Sequence, residues 1–394
     1  MSNDPVVIVS AARTPLGGFQ GDFASLSAPQ LGAVAIRAAV ERAGLAPEKV
    51  QEVIMGCVLP AGLGQAPARQ ASLGAGLPLS AGATTLNKVC GSAMKATMLG
   101  HDILIAGSQD VVVTGGMESM TNAPYMLPKA RAGMRLGHSQ VLDHMFFDGL
   151  EDAYDKGKLM GSFAEQCAAK YAYTREAIDA FAITSTERAQ KANSDGTFDW
   201  EIAPVTVTGR KGEVVIRNDE QPAKAKLDKV ASLKPAFKKD GVITAANSSS
   251  ISDGAAALVL MRASTAAKLG CKPLARIVAH ATHSQEPQWF TTAPVGALQK
   301  VLAKAGWAAE DVDFFEINEA FAVVTMAAMT ELKLPHARVN VHGGACAMGH
   351  PLGASGARII VTLLGAMRKH GGRRGVASLC IGGGEATAMA IEML

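Results

Sequence analysis

The segment Ala43-Gly44-Leu45-Ala46-Pro47-Glu48-Lys49-Val50-Gln51-Glu52-Val53-Ile54 recurs as Ala305-Gly306-Trp307-Ala308-Ala309-Glu310-Asp311-Val312-Asp313-Phe314-Phe315-Glu316, an offset of 262 residues between Ala43 and Ala305. Gly115-Gly116-Met117-Glu118 recurs as Gly382-Gly383-Gly384-Glu385, an offset of 267 between Glu118 and Glu385. Two matches at nearly one spacing point to one unit written twice, so the fold must consist of two related halves. Each long copy follows an amphipathic helical stretch, about residues 31–43 and 295–305. Both halves mix β-branched apolar runs (Val6–Val9, Val111–Val113, Ile277–Val278, Val376–Leu379) with longer helical stretches. That alternation predicts α/β architecture with buried sheets, the halves packing through helices in alternating layers.

The repeat also locates an insertion. In the second copy the strand Val376–Ile381 turns through glycines straight into Ala386–Met393. In the first, Val111–Thr114 reaches the same turn, but its matching strand, Ala255–Met261, comes much later. The predicted organisation is a first half of residues 1–119 and 251–270, an inserted domain of residues 120–250, and a second half of residues 271–394. The insertion is more polar, and it brings Met126, Met134, Met145, Phe146, Phe147 and Met160 as candidates for a pocket wall.

Composition narrows the function. The chain has 394 residues, 48% of them hydrophobic and only 19% charged, with 41 glycines, which suits a compact enzyme with extensive buried structure. A net charge of +3 with scattered basic residues predicts no nucleic-acid partner. No apolar stretch is long enough for a bilayer, and no signal peptide is evident, so a cytoplasmic location without membrane association is expected. Six cysteines (57, 90, 167, 271, 346, 380) form no C-x-x-C pair, and the spacing of His342, Cys346 and His350 fits no common zinc pattern. No metal is expected. Phosphate-cradling and dinucleotide-binding glycine motifs are missing, which counts against ATP and nicotinamide chemistry.

Three residues sit in specific glycine-rich settings. Cys90 lies in Asn87-Lys88-Val89-Cys90-Gly91-Ser92-Ala93-Met94, before a helix-like run from Ala93 to Gly107. A helix N-terminus lowers a thiol's pKa and offers free N–H groups to an oxyanion, so Cys90 is either a nucleophile or a buried structural cysteine. His350 lies in Gly349-His350-Pro351-Leu352-Gly353-Ala354-Ser355-Gly356-Ala357-Arg358, before a helix from about Ala354 to Lys369; it is either a base or a satisfied loop histidine. Cys380 precedes Gly382-Gly383-Gly384, which form either a site with unobstructed N–H groups or a plain hairpin. Asn318 follows the strand Phe314–Ile317 and either caps the next helix or serves catalysis. A thiol, a base and backbone donors together suit acyl transfer through a thioester.

Taken jointly, these motifs resemble the thiolase family, from Val9-Ser10-Ala11-Ala12-Arg13-Thr14-Pro15 to the last strand. The resemblance implies a duplicated, five-layered αβαβα fold with a loop domain inserted in the first half. It implies that Cys90 takes the acyl group from an acyl-CoA, that His350 activates Cys90, and that Cys380 protonates the departing CoA and then deprotonates C2 of a second acetyl-CoA. Asn318 would hold a water that forms one oxyanion hole with His350; the N–H groups of Cys90 and Gly382 would form another. Ser249 matches a position that contacts pantetheine, and Phe237, Ala320 and Phe321 match pocket positions. Coenzyme A enters as substrate and product, and no other cofactor is implied. Many acetoacetyl-CoA-forming members carry His-Met-Gly where this chain has Leu159-Met160-Gly161. Their histidine contacts the thioester of the second substrate. The basic position on the CoA adenine side aligns near Lys224 with a one-residue length difference. Arg131-Ala132-Gly133-Met134-Arg135-Leu136-Gly137 resembles the loop by which many members assemble as tetramers, so a homotetramer, a dimer of dimers, is expected. The implied activity is acetyl-CoA C-acetyltransferase. The alternatives are a degradative 3-ketoacyl-CoA thiolase of broader chain length and, more remotely, a non-catalytic acyl-CoA-binding partner.

Overall fold

The computed structural model describes residues 4–209 and 212–394. In chain order its first half contains β1 (Val6–Arg13), α1 (Ala28–Arg42), β2 (Glu52–Gly56), α2 (Pro67–Gly74), β3 (Gly82–Leu86), α3 (Ser92–Ala106) and β4 (Val111–Ser119). After a segment that contains α4 (Met160–Lys170) and α5 (Arg175–Ser194), the chain returns as β5 (Ser252–Arg262). The second half comprises β6 (Ala275–Ser284), α6 (Ala293–Ala305), β7 (Phe314–Ile317), α7 (Ala322–Leu332), α8 (Ser355–His370), β8 (Arg374–Ile381) and β9 (Glu385–Met393).

The repeated Ala-Gly is a helix terminator. Gly44 and Gly306 take φ of +63° and +67° just past α1 and α6, the left-handed region where glycine pays no steric cost. The repeated Val-x-x-x segments then run into β2 and β7. Strand order repeats as well: β1-β5-β4-β2-β3 in the first half and β6-β9-β8-β7 in the second. β4 pairs antiparallel with β5, as β8 does with β9, although residues 120–251 intervene in the first case.

Alternation along the strands decides the layers. Val7 and Val9 of β1 pack with Leu31 and Ile36 of α1 on one face. Val6 and Ile8 point the other way, into a central layer where Met94 and Met98 of α3 meet Ile359, Ile360 and Leu363 of α8. That layer is shared with Leu379 of β8 and Ile391 of β9, and the outer face of the second sheet is covered by Leu298 and Val301 of α6. The stacking is therefore helix, sheet, helix, sheet, helix. The halves do more than pack through helices: β1 and β6 also pair, through Val7↔Arg276 and Ile8↔Ala275, so hydrogen bonds run from one sheet into the other. The segment between β4 and β5 is latched to β1 by fully buried Arg13, which donates to Glu201 at 2.6 Å and Asp219 at 2.7 Å. Breaking such a buried pair costs about 3–5 kcal/mol. No helix among the described residues is long and apolar enough to cross a membrane.

Candidate active site

β2, β3 and β4 run parallel, as do β7 and β8. Ligands in α/β sheets bind outside the carboxyl ends of such strands. Those ends deliver the site. Cys90 lies between β3 and α3, Asn318 directly follows β7, Cys380 is the penultimate residue of β8, and Gly382 opens the turn into β9. His350 arrives on the loop before α8. Cys90, His350, Cys380 and Gly382 line one cavity of about 380 Å³ with Leu159, Met160, Phe237, Ser249, Ala320 and Phe321.

The Cys90 loop is held tightly. Val89 has φ of +46°, a strained conformation for a β-branched residue. Its own N–H donates to Asn87 Oδ1 at 2.9 Å, the Lys88 N–H donates to Ser92 Oγ at 2.8 Å, and Ser92 Oγ donates to the Val89 carbonyl at 2.6 Å. Lys88 is ion-paired with Glu385, which ties the loop to the start of β9. A Cβ on Gly91 would lie 2.3 Å from Ile381 Cδ1, so a larger residue there would have to push the Ile381 side chain aside for the loop to seat against the end of β8. The expected depression of the Cys90 pKa is not what the structure gives. Burial pushes the half-buried thiol up to about 11, opposed by the N–H groups of Gly382 and Cys90 itself, while the Glu118 charge adds to the rise. A helix N-terminus does not outweigh desolvation here. Cys380 is buried and pushed well above the usual thiol range, first by burial and then by Cys90.

His350 is buried, and its Nδ1 is 2.5 Å from Ser355 Oγ. Ser355 already donates to the Pro351 carbonyl at 2.9 Å, so its oxygen accepts from Nδ1–H. That assigns the proton to Nδ1 and leaves Nε2 as the free base. Burial, reinforced by the Arg358 charge, holds His350 down to about 3, a neutral ring. Asn318 is fully buried and does not cap α7, whose N-cap is Phe321. Its Oδ1 accepts from Arg358 Nη2 at 3.3 Å, which turns its Nδ2 toward His350, 3.5 Å from both ring nitrogens. Arg358 is itself fixed to Glu316 at 2.9 Å.

Lys224 is not brought to this cavity. It is exposed and ion-paired with Glu220 one helical turn away. Among the apolar residues of the insertion, Phe146 and Met160 line the cavity and Met145 packs beneath it, whereas Phe147 is exposed under Lys156 and neither Met126 nor Met134 reaches the wall. Sequence reasoning missed Ser355, Arg358 and Glu118. Ser355 and Arg358 stood inside the quoted His350 motif, five and eight residues along, in the first turn of α8. Glu118 stood in the repeat: fully buried, it accepts from the N–H groups of Val58, Leu59 and Gly353 at 2.9, 3.1 and 2.7 Å, and so joins the His350 loop to the ends of β2 and β4. Burial raises it to about 7 against the pull of those donors.

Two halves of one α/β unit, meeting at a thiol pair and a neutral imidazole, define a class of acyl-transfer protein. Residues 6–264 match the thiolase N-terminal domain and residues 271–393 the thiolase C-terminal domain. The chain belongs to the thiolase family. It is 51% identical over 393 residues to acetyl-CoA acetyltransferase 2 of Arabidopsis thaliana, covering 99% of this chain and 97% of that protein. It is 50% identical over 389 residues to acetyl-CoA acetyltransferase of Cupriavidus necator, covering 98% and 99%. Among solved structures, the Acat5 thiolase of Ascaris suum in complex with coenzyme A superposes with a TM-score of 0.94 at 44% identity, covering 99% of this chain and 100% of that one. The Bacillus anthracis acetyl-CoA acetyltransferase gives 0.96 at 40% identity, with 99% of each chain covered.

Proposed function

We propose that this chain is an acetyl-CoA C-acetyltransferase that condenses two acetyl-CoA reversibly to acetoacetyl-CoA and CoA. The observation that carries the reading is the meeting of Cys90, His350, Cys380 and Gly382, from three distant segments, in one apolar cavity. His350 Nε2 takes the Cys90 proton as the sulfur attacks the thioester carbon. The oxyanion is held between the N–H groups of Cys90 and Gly382, both of which already point at the Cys90 sulfur. The C–S bond to CoA breaks, and Cys380 protonates the leaving sulfur. After exchange of CoA for a second acetyl-CoA, the Cys380 thiolate removes a C2 proton. The carbanion attacks the acetyl-Cys90 carbonyl, with Asn318 and His350 holding a water at the nucleophile's own thioester oxygen. Cys90 then leaves and recovers its proton from His350, so both thiols and the imidazole return to their starting states. Ser249, Phe237, Ala320, Phe321, Met160 and Leu159 hold the acyl and pantetheine end.

Brief incubation with labelled acetyl-CoA, digestion and mass spectrometry should place the acetyl group on Cys90, and acetoacetyl-CoA should be cleaved when free CoA is added. A label on another cysteine rejects the assignment. A second reading, degradative 3-ketoacyl-CoA cleavage over a broader chain length in fatty-acid metabolism, is favoured by Leu159 and the apolar wall that Phe146, Leu150 and Phe290 share with it.

The structural division we adopt is residues 1–119 with 251–270, the inserted domain 120–250, and 271–394. Assembly as a homotetramer would use the 131–137 loop, where Leu136 is 97% exposed. Light scattering of wild type and Leu136→Asp tests it. A reducing, cytoplasm-like compartment fits the six free thiols.

A further inference from the structure

His101 and Asp102 on α3 and His280 on β6 bring three ligand atoms together. His101 Nδ1 and Asp102 Oδ1 are 3.0 Å apart, His280 Nε2 and Asp102 Oδ1 3.0 Å, and His280 Nε2 and His101 Nδ1 3.3 Å. This is a nearly equilateral triangle. In a tetrahedral site with metal–ligand bonds of about 2.0–2.2 Å, neighbouring ligand atoms are about 3.3–3.6 Å apart. The triangle therefore needs to open by only a few tenths of an ångström.

Without a cation the arrangement is awkward. Two imidazole nitrogens converge on a single carboxylate oxygen and also face each other, so two N–H groups crowd one acceptor. A cation above the triangle uses all three lone pairs and leaves a fourth position open toward solvent, where Asp102 is 54% exposed. The two rings are held edge to face, with centroids 4.9 Å apart, so neither can rotate freely away. Lys304 is close by, but its ammonium bonds the His280 carbonyl at 3.0 Å rather than a ligand atom.

We propose that His101, Asp102 and His280 form a binding site for one divalent first-row transition metal ion. Two imidazoles and one carboxylate suit zinc, cobalt or nickel and are a poor match for magnesium or calcium, which take all-oxygen sets. The site is separate from catalysis: His101 lies about 14 Å along α3 from Ser92. It clamps a helix of the first half to a strand of the second, so its occupation stabilises the joint between the halves.

The test uses the full chain stripped of metal, titrated with Zn²⁺ against a chromophoric chelator and with Co²⁺ by visible absorption. The expected result is uptake of one equivalent, a rise in Tm, and a Co²⁺ spectrum without thiolate charge-transfer bands. Losing a mere outer partner of a metal ligand costs about 10–100-fold in affinity, so His280→Ala should weaken uptake at least about 100-fold and abolish the rise in Tm. Asp102→Asn, at an exposed position that keeps its shape, should weaken uptake even if His280→Ala folds poorly. Both variants should cleave acetoacetyl-CoA at the wild-type rate. Failure to take up a stoichiometric ion overturns the proposal, as does uptake undiminished in both variants or abolished by Cys90→Ser, which would assign the ion to the thiols.

Discussion

Replacing Leu159 by histidine should narrow the range of acyl chains. Leu159 sits at the N-cap of α4 and lines the cavity beside Met160, whose sulfur lies 3.6 Å from where a Cβ on Gly382 would be. Its neighbours in the wall, Phe146, Leu150, Phe290 and Leu352, offer only apolar contact. Each buried substrate methylene contributes about 0.8 kcal/mol, about fourfold in kcat/KM. Going from a C4 to a C6 3-ketoacyl-CoA adds two methylenes, so full burial favours C6 by up to about 15-fold. An imidazole at position 159 removes that apolar surface and supplies a hydrogen bond to the thioester of a short substrate, about 1 kcal/mol or roughly fivefold. The C6-to-C4 ratio of kcat/KM should therefore fall by about one order of magnitude or more in Leu159→His. The assay is CoA-dependent cleavage of C4, C6 and C8 3-ketoacyl-CoAs by both proteins. A wild type strictly specific for C4, with the ratio unmoved in the variant, refutes the reasoning.

Ser355→Ala removes the acceptor that fixes the His350 tautomer. A hydrogen bond to a group that becomes charged contributes about 1.5–3 kcal/mol, so kcat should fall about 10–100-fold with KM and Tm nearly unchanged; an equal rise in KM would show lost substrate binding instead. With Cys90 raised to about 11 and His350 lowered to about 3, thiol and imidazole rest uncharged at neutral pH. Iodoacetamide should then alkylate Cys90 about tenfold faster per pH unit up to pH 9, since only the thiolate reacts. A plateau by pH 7 contradicts a neutral pair. Cys380→Ser should lose exchange of the acetyl-CoA C2 hydrogens with solvent by about 10²–10⁴-fold while Cys90 still accepts some acetyl groups; normal exchange removes Cys380 from the role of base.

The two related halves were legible because the repeat preserves local signals: an Ala-Gly helix stop, then a β-branched run. Cys90, His350 and Cys380 were legible because glycines flank each one in sequence. The supporting contacts were not. Arg358 reaches Asn318 and Glu316 from 40 and 42 residues away, and Glu118 gathers donors from segments as far off as Gly353. The sign of the Cys90 shift was missed because sequence shows the helix start and hides the depth of burial. The His101–Asp102–His280 cluster joins residues 179 apart, so no ligand spacing could announce it. Lys224 lies outside the thiol cavity, ion-paired with Glu220 one turn earlier.

The pairing of β1 with β5 sets a timetable for synthesis. Val6–Arg13 leaves the ribosome long before its partners, which are residues 256–262 and then 275–276. At about 5–20 residues per second, the strand waits roughly 10–50 s for them. Throughout that interval β1 lacks both of its sheet partners and β4 carries one bare edge, the condition in which nascent strands find the wrong partner. The strands β6 to β9 all fall within residues 275–393 and emerge together. The burden of quality control during translation thus falls on the amino-terminal half.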